Sequence, residues 1–341
     1  MIKIAITGGS GMIGANLVRA LRFSDQHYHI ICIDNFSRGQ KQYIDGLYDE
    51  IYEIDLREPI GNRLRKIKNV NVVIHLADIV GGIKYVFENE YDVFSDNLMI
   101  NTNTYNWMAE NSSSIKQIIY VGTACSFPKS LQGRDRRSEG LLEMDLYPAD
   151  PESGYGWSKL VGQKQLEILA QKIKTHCTTL MLHNVYGEYC NYEMNPQVIP
   201  ALIHRANLSC MSDDPTKYLD VWGDGSQARD FIHVYDVCQG IVKCIEREWQ
   251  HPYGLLSYYR TLQLGSGKAT TIRDIAQLII KNQICNLNLR LMPNELMGDH
   301  GRFANIDLAR EVLDWQPTKS LDVGIHELNK WISDEMKTKS I

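Results

Sequence analysis

The opening residues Met1–Gly14, MIKIAITGGSGMIG, decide the fold. Ile2, Ile4 and Ile6 alternate with Lys3, Ala5 and Thr7, and the run ends in glycine. That pattern predicts a short buried strand entering a tight turn. Ile13, Leu17, Val18 and Leu21 then recur at helical spacing, which predicts a helix over about Ile13–Leu21. Strand, glycine turn and helix N-terminus together make an anion site, because backbone N–H groups and the positive end of the helix dipole converge there. Two glycine frames fit the stretch, Gly9-x-Gly11-x-x-Gly14 and Gly8-x-x-Gly11-x-x-Gly14. A Cβ at these positions would block the turn, the approach of a pyrophosphate or the packing of helix on strand. The reading puts Gly8, Gly11, Met12, Ile13 and Gly14 around that pyrophosphate.

A second strand, about His29–Ile33, ends at Asp34. A carboxylate at that distance from the glycines accepts hydrogen bonds from ribose hydroxyls and repels a 2′-phosphate, so the expected dinucleotide is NAD rather than NADP. Arg38 is the competing signal, because a guanidinium just beyond the acid welcomes that phosphate. Asn35 and Ser37 belong to the same expected contact set.

The 341 residues suffice for a large core, or for one big domain and a smaller one. A hydrophobic share of 44% and a charged share of 23% are ordinary for a globular enzyme. The net charge of −5 argues against a general nucleic-acid binder, and no apolar run approaches membrane-spanning length. The first predicted strand starts at residue 2 and leaves no room for a signal peptide, so a cytoplasmic protein is expected. The 8 cysteines include no CxxC pair and none at zinc spacing from histidine, so no metal is expected. In a reducing compartment they act mostly as small core residues.

After a polar segment, Asn35 to Gly46, a third strand near Ile51–Ile54 ends at Asp55-Leu56. An acid there can hold an adenine amino group or cap a helix. Residues 70–77, VNVVIHLA, read as a buried parallel strand whose end, Leu76-Ala77-Asp78, meets the cofactor. Tyr91–Glu110 reads as a helix with Asn97 toward the same crevice. The strand Gln117–Val121 empties into Gly122-Thr123-Ala124-Cys125-Ser126-Phe127-Pro128, and a polar stretch to Ser153 follows as a loop over the active site. Tyr155-Gly156-Trp157-Ser158-Lys159 then opens a helix to about Lys172, with Tyr155 and Lys159 on one face. A tyrosine of ordinary pKa is a poor base at neutral pH, and a neighbouring lysine ammonium together with the positive nicotinamide ring is expected to favour its phenolate. The phenolate can take the proton of a sugar hydroxyl while the carbon gives up hydride, with Thr123 orienting the oxygen.

At this point the chain resembles the extended short-chain dehydrogenase/reductase family of nucleotide-sugar enzymes. The resemblance rests on TGGSGMIG (7–14), IDNFSRG (33–39), HLAD (75–78), GTACSFP (122–128), YGWSK (155–159), NVYG (184–187), VIPALI (198–203), WGDGSQARDFIHVYDV (222–237), GSGKATTI (265–272) and LDWQP (313–317). It implies an α/β fold: a doubly wound parallel sheet (Rossmann) with a smaller C-terminal substrate domain. The division would be 1–180, with about 228–250 returning to it, and mainly 181–341. It also implies a homodimer joined by helices near 92–111 and 155–173. Asn184 and the 197–203 segment, with Gln197 and Val198, would line the sugar and phosphate region, and Arg229 and Arg302 would hold the diphosphate. Two guanidinium groups there give bidentate charge-assisted bonds.

The sequence also separates branches of that family. Thr123-Ala124-Cys125 carries no acidic pair, which excludes a 4,6-dehydratase and disfavours a UDP-glucuronate decarboxylase. A thiol two residues after the threonine resembles the branch containing GDP-mannose 3,5-epimerase and GDP-fucose synthase, and tilts the base toward GDP. Cys125 is then either an acid/base group for protons beside a C4 ketone or an inert small residue. Relatives carry a titratable His or Lys near the VIPAL run, where this chain has Gln197, and an amide cannot replace either. His183, His204 and Lys217 are nearby, and spacing alone selects none. The expected activity is an NAD-dependent epimerase acting through a 4-keto sugar. Its rivals are a UDP-sugar 4-epimerase, a net 4-keto-sugar reductase or C4 dehydrogenase, and a non-catalytic NAD sensor.

Overall fold

The computed structural model describes residues 1–59, 63–132, 140–247, 258–293 and 301–339. The first part of the chain forms β1 (Ile2–Thr7), α1 (Met12–Arg22), β2 (Tyr28–Asp34), β3 (Glu50–Glu53), β4 (Val72–His75), α2 (Ile83–Glu88), α3 (Glu90–Glu110), β5 (Gln117–Thr123), α4 (Gly154–Ile173), β6 (His176–Leu182) and β7 (Asn184–Tyr186). There follow α5 (Val198–Met211), β8 (Lys217–Trp222), β9 (Ala228–Arg229), β10 (Phe231–His233), α6 (Val234–Glu246), β11 (Tyr259–Leu264), β12 (Thr270–Thr271), α7 (Ile272–Lys281), β13 (Leu287–Met292), β14 (Gly301–Arg302), α8 (Asp307–Leu313) and α9 (Leu321–Lys339).

Seven parallel strands make the main sheet, in the order β11-β6-β5-β4-β1-β2-β3. Such a sheet needs both faces covered, and its sequence shows why it is. Ile4 and Ile6 of β1 join Leu17 and Val18 of α1 and Val237 and Ile241 of α6 in one core. Ala5 points the other way, with Val73 and Ile118, into a core made by Ile100 and Trp107 of α3 and Leu166 of α4. The strand order reverses at β1, so the carboxyl ends of β1 and β4 flank a crevice.

The predicted strand 70–77 contracts to Val72–His75. Leu76 and Ala77 still hang on β1, through the Thr7 carbonyl (3.1 Å) and hydroxyl (3.3 Å), but have left the ladder. The seventh strand, β11, comes from residues 259–264, later in the chain than the 228–250 segment expected to rejoin this unit; residues 248–250 lie outside the described residues. A third core joins α5, β8, α7, β13 and α9 through Leu202, Leu219, Ile275, Leu287 and Leu328.

Cys210 and Cys285 form a disulfide, a pairing that the reading of the cysteines as mostly small core residues did not include. The other six are free, and all but Cys125 are buried. Within the predicted loop to Ser153, residues 133–139 lie outside the described residues; Leu141 bridges to Ala304 and seats the loop beside β14. Among the described residues no helix is long and apolar enough to cross a membrane.

Candidate active site

The glycine turn builds the cofactor end. Gly8 has φ +70°, and a Cβ there would lie 2.9 Å from the Ala77 nitrogen, so β1 and the exit of β4 can meet only at glycine. A Cβ on Gly14 would stand 2.2 Å from the Gly8 carbonyl oxygen, which ties the start of α1 to the turn. The helix begins after Gly11 with no side-chain cap and no acid in its first turn, so the N–H groups of Met12 and Ile13 face outward as an anion cradle. Asp34 closes the other side. Its two oxygens accept from the Ser10 N–H (2.9 Å) and the Phe36 N–H (2.8 Å), and each keeps acceptor capacity for a ribose hydroxyl.

Beyond it, a cleft of about 450 Å³ is lined by Asn35, Ser37, Asp55, Leu56, Arg57 and Asn103, among others. Asp55 accepts hydrogen bonds from Arg57 and Asn35, and the Arg57 side chain does most to hold its carboxyl at about 2. Its Oδ1 also receives the Arg57 backbone N–H at 2.9 Å, so the capping alternative takes the form of a local turn. Arg38 is exposed. A dinucleotide fits this set: an uncapped helix start for its phosphates, an acid for its ribose and a polar cleft for its base.

Asp78 contacts both Tyr155 and Lys159. Its Oδ2 lies 3.3 Å from the Tyr155 hydroxyl, which donates to it, and 3.3 Å from Lys159 Nζ. Lys159 is 2% exposed and sits 4.5 Å above the Tyr120 ring. Burial works against its ammonium, but Tyr120 and Asp78 outweigh burial and hold its pKa above the ordinary lysine value. Burial first, then the Asp78 charge, drive the pKa of Tyr155 well above 10, while a hydrogen bond with Thr123 partly opposes them. After burial, the Asp78 carboxylate, 3.3 Å from both the phenol and the ammonium, works against the phenolate.

Cys125 stands on the turn after Thr123, whose hydroxyl accepts its backbone N–H at 3.2 Å. It packs on the cluster that holds Tyr155. Gly156 allows this approach, since a Cβ there would fall 2.2 Å from the Cys125 carbonyl oxygen. Arg302 donates from Nη2 to Cys125 Sγ at 3.2 Å and from Nη1 to the Gln132 amide oxygen. Arg302 and Arg229 are register partners on β14 and β9, so the two arginines expected at a diphosphate stand side by side.

Asn97 does not open onto the crevice. It is 1% exposed, and its amide holds the Ile79 N–H (2.7 Å), the Ile79 carbonyl (3.0 Å) and Ser158 Oγ (3.4 Å). The buried amide thus fixes the segment that carries Asp78. Asn184 begins β7 beside Phe231. Gln197 precedes the first turn of α5 and Val198 begins it; a Cβ on Gly82 would come within 2.8 Å of the Pro196 oxygen, so this segment borders the loop after β4. Sequence reasoning missed Tyr120, Gln132 and the spacing role of Gly156. Tyr120 is an aromatic inside an apolar strand and Gln132 a polar residue in a loop, so neither carries a local signal.

The family model described as "NAD dependent epimerase/dehydratase family" matches residues 4–254. GDP-mannose 3,5-epimerase 1 of Oryza sativa subsp. indica is 26% identical over 336 residues, covering 98% of this chain and 83% of that one. GDP-L-fucose synthase of Escherichia coli (strain K12) is 26% identical over 337 residues, covering 96% of each. Among solved structures, UDP-glucose 4-epimerase of Thermotoga maritima superposes with a TM-score of 0.81 at 20% identity, over 98% of this chain and 100% of that one.

Proposed function

Because the chain belongs to the NAD dependent epimerase/dehydratase family, we propose that it inverts a sugar carbon of a GDP-sugar through a transient 4-keto intermediate. The observation that carries this reading is one cluster: Asp78, Thr123, Tyr155 and Lys159 at the carboxyl ends of β4 and β5, with Cys125 and Arg302 against it. The glycine turn and Asp34 would hold NAD, whose nicotinamide would supply reversible hydride acceptance at the sugar carbon. Tyr155, steered by Thr123, takes the hydroxyl proton at C4, and Asp78 lies within reach of that proton. Cys125 exchanges a proton on a carbon next to the ketone, whose electron pull makes that C–H acidic. Arg229 and Arg302 grip the diphosphate. The names of the curated relatives support GDP as the base.

Gln197 favours a second reading, a UDP-sugar 4-epimerase in which the keto sugar turns over and Cys125 stays inert. In this scheme the main sheet with α6 is the cofactor unit and the rest of 181–341 the substrate unit. The chain pairs as a homodimer through α3 and α4, which lie together and expose Tyr91, Met99, Trp157 and Ile168; sedimentation velocity reads that pairing. The functional test uses purified protein with GDP-mannose and UDP-glucose in D₂O, followed by NMR. The first reading expects NAD to co-purify, no net change at 340 nm, and deuterium at C3 or C5 that Cys125→Ser abolishes. Product formed without deuterium selects the 4-epimerase. Stoichiometric cofactor turnover makes the enzyme a net oxidoreductase.

A further inference from the structure

Cys125 lies on the 3₁₀ turn Ala124–Ser126, and a second such turn, Lys129–Leu131, follows Pro128 and folds the chain back. The Leu131 N–H donates to the Pro128 carbonyl (3.0 Å) and the Gln132 N–H to the Lys129 carbonyl (3.1 Å). Gln132 is thereby returned to Phe127, two residues after Cys125, and is 2% exposed. A polar side chain so deeply buried needs its hydrogen bonds met inside the protein. Its Nε2 donates to the Phe127 carbonyl at 2.8 Å, and its Oε1 accepts from Arg302 Nη1. The amide cannot turn over, because the flip would set its oxygen against a carbonyl and its N–H against a guanidinium.

Arg302 is also tied through its backbone. It pairs with Arg229 between β14 and β9, and the neighbouring Gly301 N–H lies 3.4 Å from the Gln132 carbonyl oxygen. The guanidinium is planar and rigid, so holding Nη1 on Gln132 sets the direction of Nη2. That nitrogen donates to Cys125 Sγ at 3.2 Å. The Gln132 amide therefore bridges the two sides of one contact: one end is anchored on the turn that carries the thiol, the other on the arginine that reaches it. A guanidinium N–H bonds a thiolate more strongly than a thiol, because the bond to the anion is charge-assisted.

We propose that Gln132 is a positioning residue for proton exchange at Cys125, acting by holding Arg302 on the sulfur. The claim rests on the epimerase reading given above. In the exchange step the thiolate takes the proton of the C–H bond beside the C4 ketone. The S–H bond forms, and the electron pair of the C–H bond moves into the enolate. The reverse step returns a proton from sulfur to the same carbon, and in D₂O that proton is a deuteron. Arg302 meets the charge that sulfur carries before and after each exchange, and Gln132 acts through the arginine.

The first measurement needs no substrate. Iodoacetamide alkylates thiolates, and the other free thiols are buried, so peptide mass spectrometry after labelling at pH 7 reads Cys125. Gln132→Met keeps the length and removes the amide; it is expected to slow alkylation at least about fivefold, and Arg302→Met at least as much. In the double variant the glutamine change should add less than about twofold, because residues acting in one chain are not additive. A wild-type rate in Gln132→Met, full additivity, or faster alkylation in Arg302→Met overturns the proposal. Gln132→Asn, too short to span Phe127 and Arg302, should repeat the loss, and a melting curve like that of wild type qualifies each variant as folded. The second measurement follows GDP-mannose in D₂O by NMR, with NAD present. Gln132→Met is expected to lower deuterium uptake about tenfold or more while KM changes less than about threefold. Uptake at the wild-type rate in Gln132→Met overturns the role of Gln132 and leaves the epimerase reading standing. Wild type that takes up no deuterium overturns both that role and the exchange at Cys125.

Discussion

Asp78 couples Tyr155 and Lys159, the pair proposed to carry the chemistry, since one carboxylate oxygen is 3.3 Å from both the phenol and the ammonium. Its charge raises the pKa of Tyr155, second only to burial. Asp78→Asn removes that charge and keeps the shape, so the acidic limb of the kcat/KM–pH profile should move to lower pH. An unmoved limb would remove Asp78 from the proton path. Tyr155→Phe should cut turnover by about 10²–10⁴-fold while NAD still binds, measured by sugar NMR and by cofactor titration. The identities of Tyr155, Lys159, Thr123 and Cys125 were legible in the sequence because their spacing is local. The electrostatics of Tyr155 were not, because Asp78 reaches it across 77 residues.

The turn from β1 into α1 works through close approach. Gly14→Ala would drive a methyl to 2.2 Å from the Gly8 oxygen, so the helix start must shift away from the cradle. A Cβ on Gly11 meets only that oxygen, at 3.4 Å. NAD affinity by calorimetry should therefore fall more than about tenfold for Gly14→Ala and clearly less for Gly11→Ala. Gly156→Ala should push the Cys125 turn away from α4 and lower deuterium uptake more than NAD binding. The frame of glycines was readable as a motif. The role of Gly156 was not, since its partner is the Cys125 backbone 31 positions earlier.

At the scale of the molecule, His75 links β1, β4 and α3. Its Nδ1 lies 2.7 Å from Thr7 Oγ1 and its Nε2 3.1 Å from Asn101 Oδ1. Burial, then the Lys159 charge, push its pKa down to about 3 from an ordinary 6.5. Between those values the unfolded chain binds a proton that the folded chain refuses. The resulting stability is complete above about pH 6.5 and declines as pH falls toward 3, with a slope of about 1.4 kcal/mol per pH unit. Urea unfolding from pH 7 to pH 4 should show this slope, and His75→Gln should flatten it. A slope unchanged in the variant would assign the acid sensitivity to other groups.

By itself the sequence determined the parallel sheet, the glycine turn into α1 and the placing of Tyr155 and Lys159 on one helix, because each is written in side-chain periodicity or short spacing. Only the tertiary structure decided that β11 completes the sheet, that Cys210 pairs with Cys285, that Asn97 turns inward, and that Arg302 reaches Cys125. These depend on contacts between distant segments, where packing and charge at a few ångströms outweigh any local preference of the chain.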